Sequence, residues 1–64
     1  MNIKKYRNQA NLSQEEVACK LGITQQAYSY KERGDRKFTI DEAFKLEKVL
    51  GVSIYELFED LKKL

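Results

Sequence analysis

Three apolar-periodic runs in 64 residues are each opened by a serine or threonine followed, three positions on, by a glutamate: Ser13 with Glu16, Thr39 with Glu42, and Ser53 with Glu56. At that spacing the hydroxyl can accept the third helical amide while the carboxylate reaches back to the capping residue's own amide, so each pair marks a helix start. Thr24 is a fourth start, without the glutamate. Gly22, Gly34 and Gly51 each follow a helix-patterned stretch and read as stops. With no proline and abundant Lys, Glu, Leu, Gln and Ala, this punctuation predicts five short helices, at 2–10, 14–21, 25–33, 40–50 and 54–63. Ile23, Val52 and the Val49-Leu50 pair are too short and too close to glycine to make a strand, and no repeat or linker interrupts the chain.

The expected architecture is therefore all-α, one compact five-helix domain over residues 1–64. A chain this short buries only about 60% of the surface its unfolded form exposes. The apolar positions at helical spacing are Ile3, Tyr6 and Ala10; Val17, Ala18 and Leu21; Ala43, Leu46, Val49 and Leu50; and Ile54, Leu57, Phe58, Leu61 and Leu64. With Leu12, Ile23, Tyr28, Phe38, Ile40 and Phe44 they make up the expected core. The lone Cys19 excludes an intrachain disulfide, and the absence of histidine excludes the usual Cys/His zinc sets, so no metal and no cofactor is expected. Cys19 itself reads as an incidental small residue on the open side of the second helix, with nothing basic beyond Lys20 to activate it. Apolar runs stay far below the roughly 20 residues of a membrane span, and no apolar signal core follows Met1-Asn2-Ile3-Lys4-Lys5. A cytoplasmic location without membrane contact is the expectation.

Charge is distributed unevenly. Residues 1–38 hold eight bases against four acids, and residues 39–64 hold four bases against six acids, so a net +2 conceals halves of +4 and −2. The basic first half is where a nucleic-acid face would lie.

Between residues 14 and 33 the pattern is a helix, a turn at Gly22 and a second helix capped by Thr24, the layout of a helix-turn-helix. Ala18 is small enough for a close crossing, and Val17, Leu21, Ile23 and Tyr28 lock it from the apolar side. With Gln25 at zero on a wheel of about 100° per residue, Ser29, Arg33, Gln26 and Tyr30 fall at about 40°, 80°, 100° and 140°, one continuous polar face. Glutamine can pair bidentately with adenine and arginine with guanine, serine can serve either partner, and tyrosine can donate to phosphate or pack on a thymine methyl. Taken singly, Gln25, Gln26, Ser29 and Tyr30 could also be solvated surface, and Arg33 a charge complementing the helix dipole. Ala27 stands where a capping glutamate would oppose approaching phosphates.

The stretches Leu12–Ala18, Leu21–Gln26, Tyr28–Gly34 and Leu46–Ile54 together resemble the phage repressor and Cro family, the Xre type of helix-turn-helix regulator, with a lambda-repressor-like fold. The resemblance implies that Gln14 opens the second helix, bonds a phosphate and braces Gln25, and that Gln25, Gln26 and Tyr30 occupy base-reading positions. It implies an ion pair between Arg7 and Glu32, and a backbone grip by Arg36 and Lys37, which could equally be a solvated loop. Two positions depart from the family pattern. Lys31 replaces a Trp, Tyr or Leu, and its stem is expected to pack with the ammonium turned out to solvent; Glu47 replaces the usual alanine.

Five apolar residues on the fifth helix exceed what a small core absorbs, so Leu57, Leu61 and Leu64 are expected to meet a twofold mate, and family members of this architecture bind a double-stranded DNA operator as homodimers. The function read from the chain is a sequence-specific transcriptional regulator, most simply a repressor of phage or prophage type. An enzyme is disfavoured, because no nucleophile-base or metal constellation can be assembled and no small-molecule substrate is implied. A protein-interaction module such as an antitoxin-like partner binder stays as the alternative, as does the DNA-binding part of a longer repressor. An interaction surface would be more apolar than residues 25, 26, 29 and 30.

Overall fold

A computed structural model describes residues 1–59. Those residues form five helices and no strand: α1 (Ile3–Gln9), α2 (Gln14–Leu21), α3 (Gln25–Arg33), α4 (Ile40–Leu50) and α5 (Ile54–Leu57). The starts are chemical. Ser13 Oγ accepts the Glu16 amide at 3.0 Å while the Glu16 carboxylate accepts the Ser13 amide at 3.0 Å. Thr39 and Glu42 make the same reciprocal pair at 3.1 and 2.9 Å. Thr24 Oγ1 accepts the Ala27 amide at 3.1 Å, and Ser53 Oγ accepts that of Glu56 at 3.4 Å. Glu47 has a structural use: its Oε2 accepts the Ile54 amide at 2.9 Å, so α4 caps the start of α5. Between α2 and α3, Gly22 takes φ 76°, a left-handed conformation that side chains resist, and the Ile23 amide returns to the Ala18 carbonyl at 3.0 Å.

Two helices are shorter than expected. α1 begins at Ile3 rather than at Asn2, and Ala10 is its C-cap. α5 ends at Leu57, because Phe58 turns to φ −119° and ψ 77°; the end of the expected 54–63 helix, with Leu61 and Leu64, lies outside the described residues.

Ile3, Val17, Ala18, Leu21, Tyr28, Leu46, Leu50 and Leu57 form the buried core, flanked by Tyr6, Leu12, Ile23, Phe38, Val49, Val52 and Phe58. α2 packs on both α3 and α4, and α4 on α5. The rings of Tyr28, Phe38 and Phe58 continue the core as a chain of tilted contacts, with centroids 6.0 and 5.8 Å apart. The amino terminus closes it: the Asn2 amide donates to the Leu57 carbonyl at 3.0 Å.

Three expected core residues are outside. Ala10 is exposed past the end of α1, and Ile40 and Phe44 are 76% and 52% exposed. The α4 face turned inward runs through Glu42, Leu46 and Leu50, so Ile40 and Phe44 project from the other side of the helix. Leu57 errs the other way. Expected at a dimer contact, it is fully buried in its own chain's core and has no surface to offer a mate. Among the described residues no helix is long and apolar enough to cross a membrane, and no group of three or more metal-ligating side chains gathers.

Candidate nucleic-acid interface

The site is assembled around Glu32, on the inward edge of α3. Its Oε2 accepts Arg7 Nε at 2.8 Å, and its Oε1 accepts Arg7 Nη2 at 3.1 Å and Gln14 Nε2 at 3.2 Å. Arg7 Nη1 donates in addition to the Leu12 carbonyl at 2.9 Å. One guanidinium fork therefore holds α1, the turn into α2 and α3 in a fixed relation, and planar bidentate geometry is what arginine supplies and lysine cannot. The pair is largely shielded, with 10% of the arginine and 3% of the glutamate side chain exposed. Burial works to raise the Glu32 carboxyl, but its bonded and charged neighbours outweigh this and hold it below the ordinary carboxylate range, while Glu32 in turn raises the Arg7 guanidinium.

Tyr28, fully buried beneath this network, is pushed well above the usual phenol range, first by burial and then by the Glu32 carboxylate. Arg7 and Glu32 are the polar groups that influence it, yet no hydrogen bond of good geometry reaches its hydroxyl.

Lys31, the neighbour of Glu32 in sequence, does not turn its ammonium to solvent. Its Nζ lies 2.6 and 2.7 Å from the two carboxylate oxygens of Glu42. The last turn of α3 is thereby tied to the first turn of α4, across the loop that carries Arg36 and Lys37.

With its inner edge held in this way, α3 presents an open hollow of about 450 Å³ lined by Gln14, Gln25, Gln26, Ser29, Tyr30 and Arg33. The five residues expected on one polar face share it, and Gln14 joins them from α2. Gln14 does not brace Gln25, as the resemblance implied; its amide nitrogen is engaged with Glu32. No acid lines the hollow, and none occupies the first turn of α3.

At the far end of α3 two guanidinium groups lie against the Tyr30 ring, with Arg33 Cζ at 5.0 Å and Arg36 Cζ at 5.3 Å from its centroid. Asp35, which the sequence reading passed over, bonds Arg33 through Nε at 3.2 Å and Nη2 at 3.1 Å. The Arg33-Gly34-Asp35-Arg36 order was the available signal, since a glycine turn folds the acid back onto its neighbour. Lys37 is not part of this cluster; it is exposed beside a second, apolar groove with Phe38 and Phe44.

The helix-turn-helix model of protein families matches residues 3–57, nearly the whole described chain. This protein belongs to the Xre/Cro-type helix-turn-helix family of transcriptional regulators. The regulator is 39% identical over 56 residues to an uncharacterized HTH-type transcriptional regulator of Methanocaldococcus jannaschii, covering 88% of this chain and 85% of that one. It is 41% identical over 56 residues to another from Sinorhizobium fredii, covering 88% and 73% of the two chains. Control protein C.MunI of a Mycoplasma species is 34% identical over 62 residues, covering 95% of the regulator and 84% of its own length. No solved structure matches the regulator. Membership of the family implies regulation through DNA binding rather than catalysis.

Proposed function

We infer that this regulator is a sequence-specific repressor of phage or prophage type, acting in the cytoplasm, that inserts α3 into the major groove of a pseudo-palindromic operator as a homodimer. The observation that supports this most directly is the acid-free polar hollow formed by Gln14, Gln25, Gln26, Ser29, Tyr30 and Arg33. Its amides and guanidinium have the donor and acceptor patterns that distinguish base edges in the major groove. Gln25, Gln26, Ser29, Tyr30 and Arg33 read bases. Gln14 keeps a second amide N–H for a phosphate, and Arg36 and Lys37 add salt-dependent backbone contacts that set register. Two copies would place their recognition helices about 34–36 Å apart, one turn of duplex. Repression follows from occupying a promoter and excluding polymerase.

Selection of bound DNA from a random library at two salt concentrations tests the reading. A twofold-symmetric motif is expected, and Gln25→Ala should cost ~1–3 kcal/mol and relax selection at one base pair per half-site. Sequence-blind binding that disappears entirely at the higher salt would contradict the reading and favour a protein-interaction module.

A further inference from the structure

Among the described residues that line the polar hollow, Arg33 is the one cation, and it already has an anionic partner. Its Nε donates to Asp35 Oδ2 at 3.2 Å and its Nη2 lies 3.1 Å from the same oxygen, so a single carboxylate oxygen clasps one edge of the guanidinium. The helix end brings that carboxylate into place. Gly34 takes φ 90°, its amide donates to the Lys31 carbonyl at 3.1 Å, and the Asp35 amide donates to the Tyr30 carbonyl at 2.9 Å. The Tyr30 ring centroid in turn lies 5.0 Å from Arg33 Cζ. Tyr30 therefore holds the acid through its carbonyl and the base through its ring.

A carboxylate beside a helix that approaches phosphates opposes binding by its charge, and this one does not hold the fold together. The Arg33 and Asp35 side chains are 57% and 59% exposed, and an ion pair that open contributes little to stability. We propose that Asp35 is a positioning residue for base reading: it holds Arg33 by the Nε–Nη2 edge, so that the end-on Nη1–Nη2 pair meets guanine while the guanidinium charge is screened from phosphates. This rests on the base-reading role inferred for Arg33 above. A guanidinium carries five N–H donors in a fixed fork, and with the Nε–Nη2 edge occupied the end-on pair still donates in parallel to guanine O6 and N7. Without such a clasp an arginine swings on its flexible stem and takes phosphate oxygens as readily as a base. Arg36 supplies the contrast. It lies 5.3 Å from the same ring, but among the described residues no carboxylate pairs with it, which suits a backbone contact that carries no sequence information.

Selection of bound duplexes from a random library by the full chain, followed by salt titrations of the selected duplex and a shuffled one, tests the proposal. Asp35→Ala should relax a guanine preference at one base pair per half-site and lower the ratio of selected to shuffled affinity about tenfold. It should bind the shuffled duplex several-fold more tightly than the wild type does, with a salt slope steeper by about one, because one more cation is free to meet phosphates. Its thermal melt should match the wild type, since the pair is open to solvent. In an Arg33→Ala background, Asp35→Ala should change no base preference. An Asp35→Ala variant that tightens both duplexes equally would reduce Asp35 to a repelling surface charge and overturn the proposal. A base preference that shifts with Asp35 in the absence of Arg33, or a motif that survives Arg33→Ala unchanged, would overturn it as well while leaving the operator reading on the other residues. A wild type that selects no motif would remove the operator reading itself, and the proposal with it.

Discussion

Lys31 and Glu42 face each other from consecutive helices, with the ammonium within 2.7 Å of both carboxylate oxygens and only 14% and 10% of the two side chains exposed. The same Glu42 Oε1 accepts the Thr39 amide at 2.9 Å, so one carboxylate both caps α4 and holds the end of the recognition helix. Burial tends to raise the Glu42 carboxyl, but Lys31 and the Thr39 amide together hold it below the ordinary range.

The two halves of that pair should not be equivalent. Glu42→Ala removes the carboxylate half of the reciprocal cap and strands a shielded ammonium, and is expected to cost ~2–4 kcal/mol in urea denaturation. Lys31→Met keeps the packed stem and leaves Glu42 bonded to Thr39, and should cost ~1–2 kcal/mol. An equal or reversed order would show that the cap contributes little.

Arg7→Ala should destabilise the protein without altering which bases are selected. Removing the guanidinium leaves Glu32 shielded and charged, for a loss of ~2–3 kcal/mol. In a domain this small that corresponds to a melting temperature lower by roughly 8–20 °C. Unchanged melting with an altered operator preference would place Arg7 at the DNA instead.

Acid should weaken the fold chiefly through its two shielded, paired carboxylates. Glu32 and Glu42 titrate below the ordinary value of 4.5 when folded, so their contribution is fully present above that pH and is lost as the pH falls through their folded values. Chemical denaturation between pH 3 and 7 should show stability falling steeply below about 4.5. The fall should be shallower in Glu42→Gln, which has one of the two groups missing.

Tyr28→Phe should be neutral or stabilising, within about 1 kcal/mol of wild type, because it deletes a buried hydroxyl that lacks a well-formed hydrogen bond and leaves the ring packing intact. A loss above about 2 kcal/mol would mean that the hydroxyl supports Glu32 in solution.

What could be read from the sequence was local. Helix starts at Ser13, Thr24, Thr39 and Ser53 depend on side chains bonding to backbone three residues away, and the turn at Gly22 on a left-handed backbone whose amide returns to the Ala18 and Cys19 carbonyls, so the chain alone determines the bounds of α2, α3 and α4. The polar face of α3 was legible for the same reason, since helical geometry places Gln25, Gln26, Ser29, Tyr30 and Arg33 together whatever they pack against. The Arg7–Glu32 pairing came from family resemblance, not from spacing. Tertiary structure decided the rest. Periodicity marks a residue as apolar without saying which way its helix is rolled, and the roll of α4 turns Ile40 and Phe44 outward while the docking of α5 draws Leu57 fully inside. Nor does position 31 reveal its partner: only the packing of α3 and α4 on α2 brings Glu42 to Lys31, and a charge whose partner lies on another helix cannot be told from a solvated one by sequence alone.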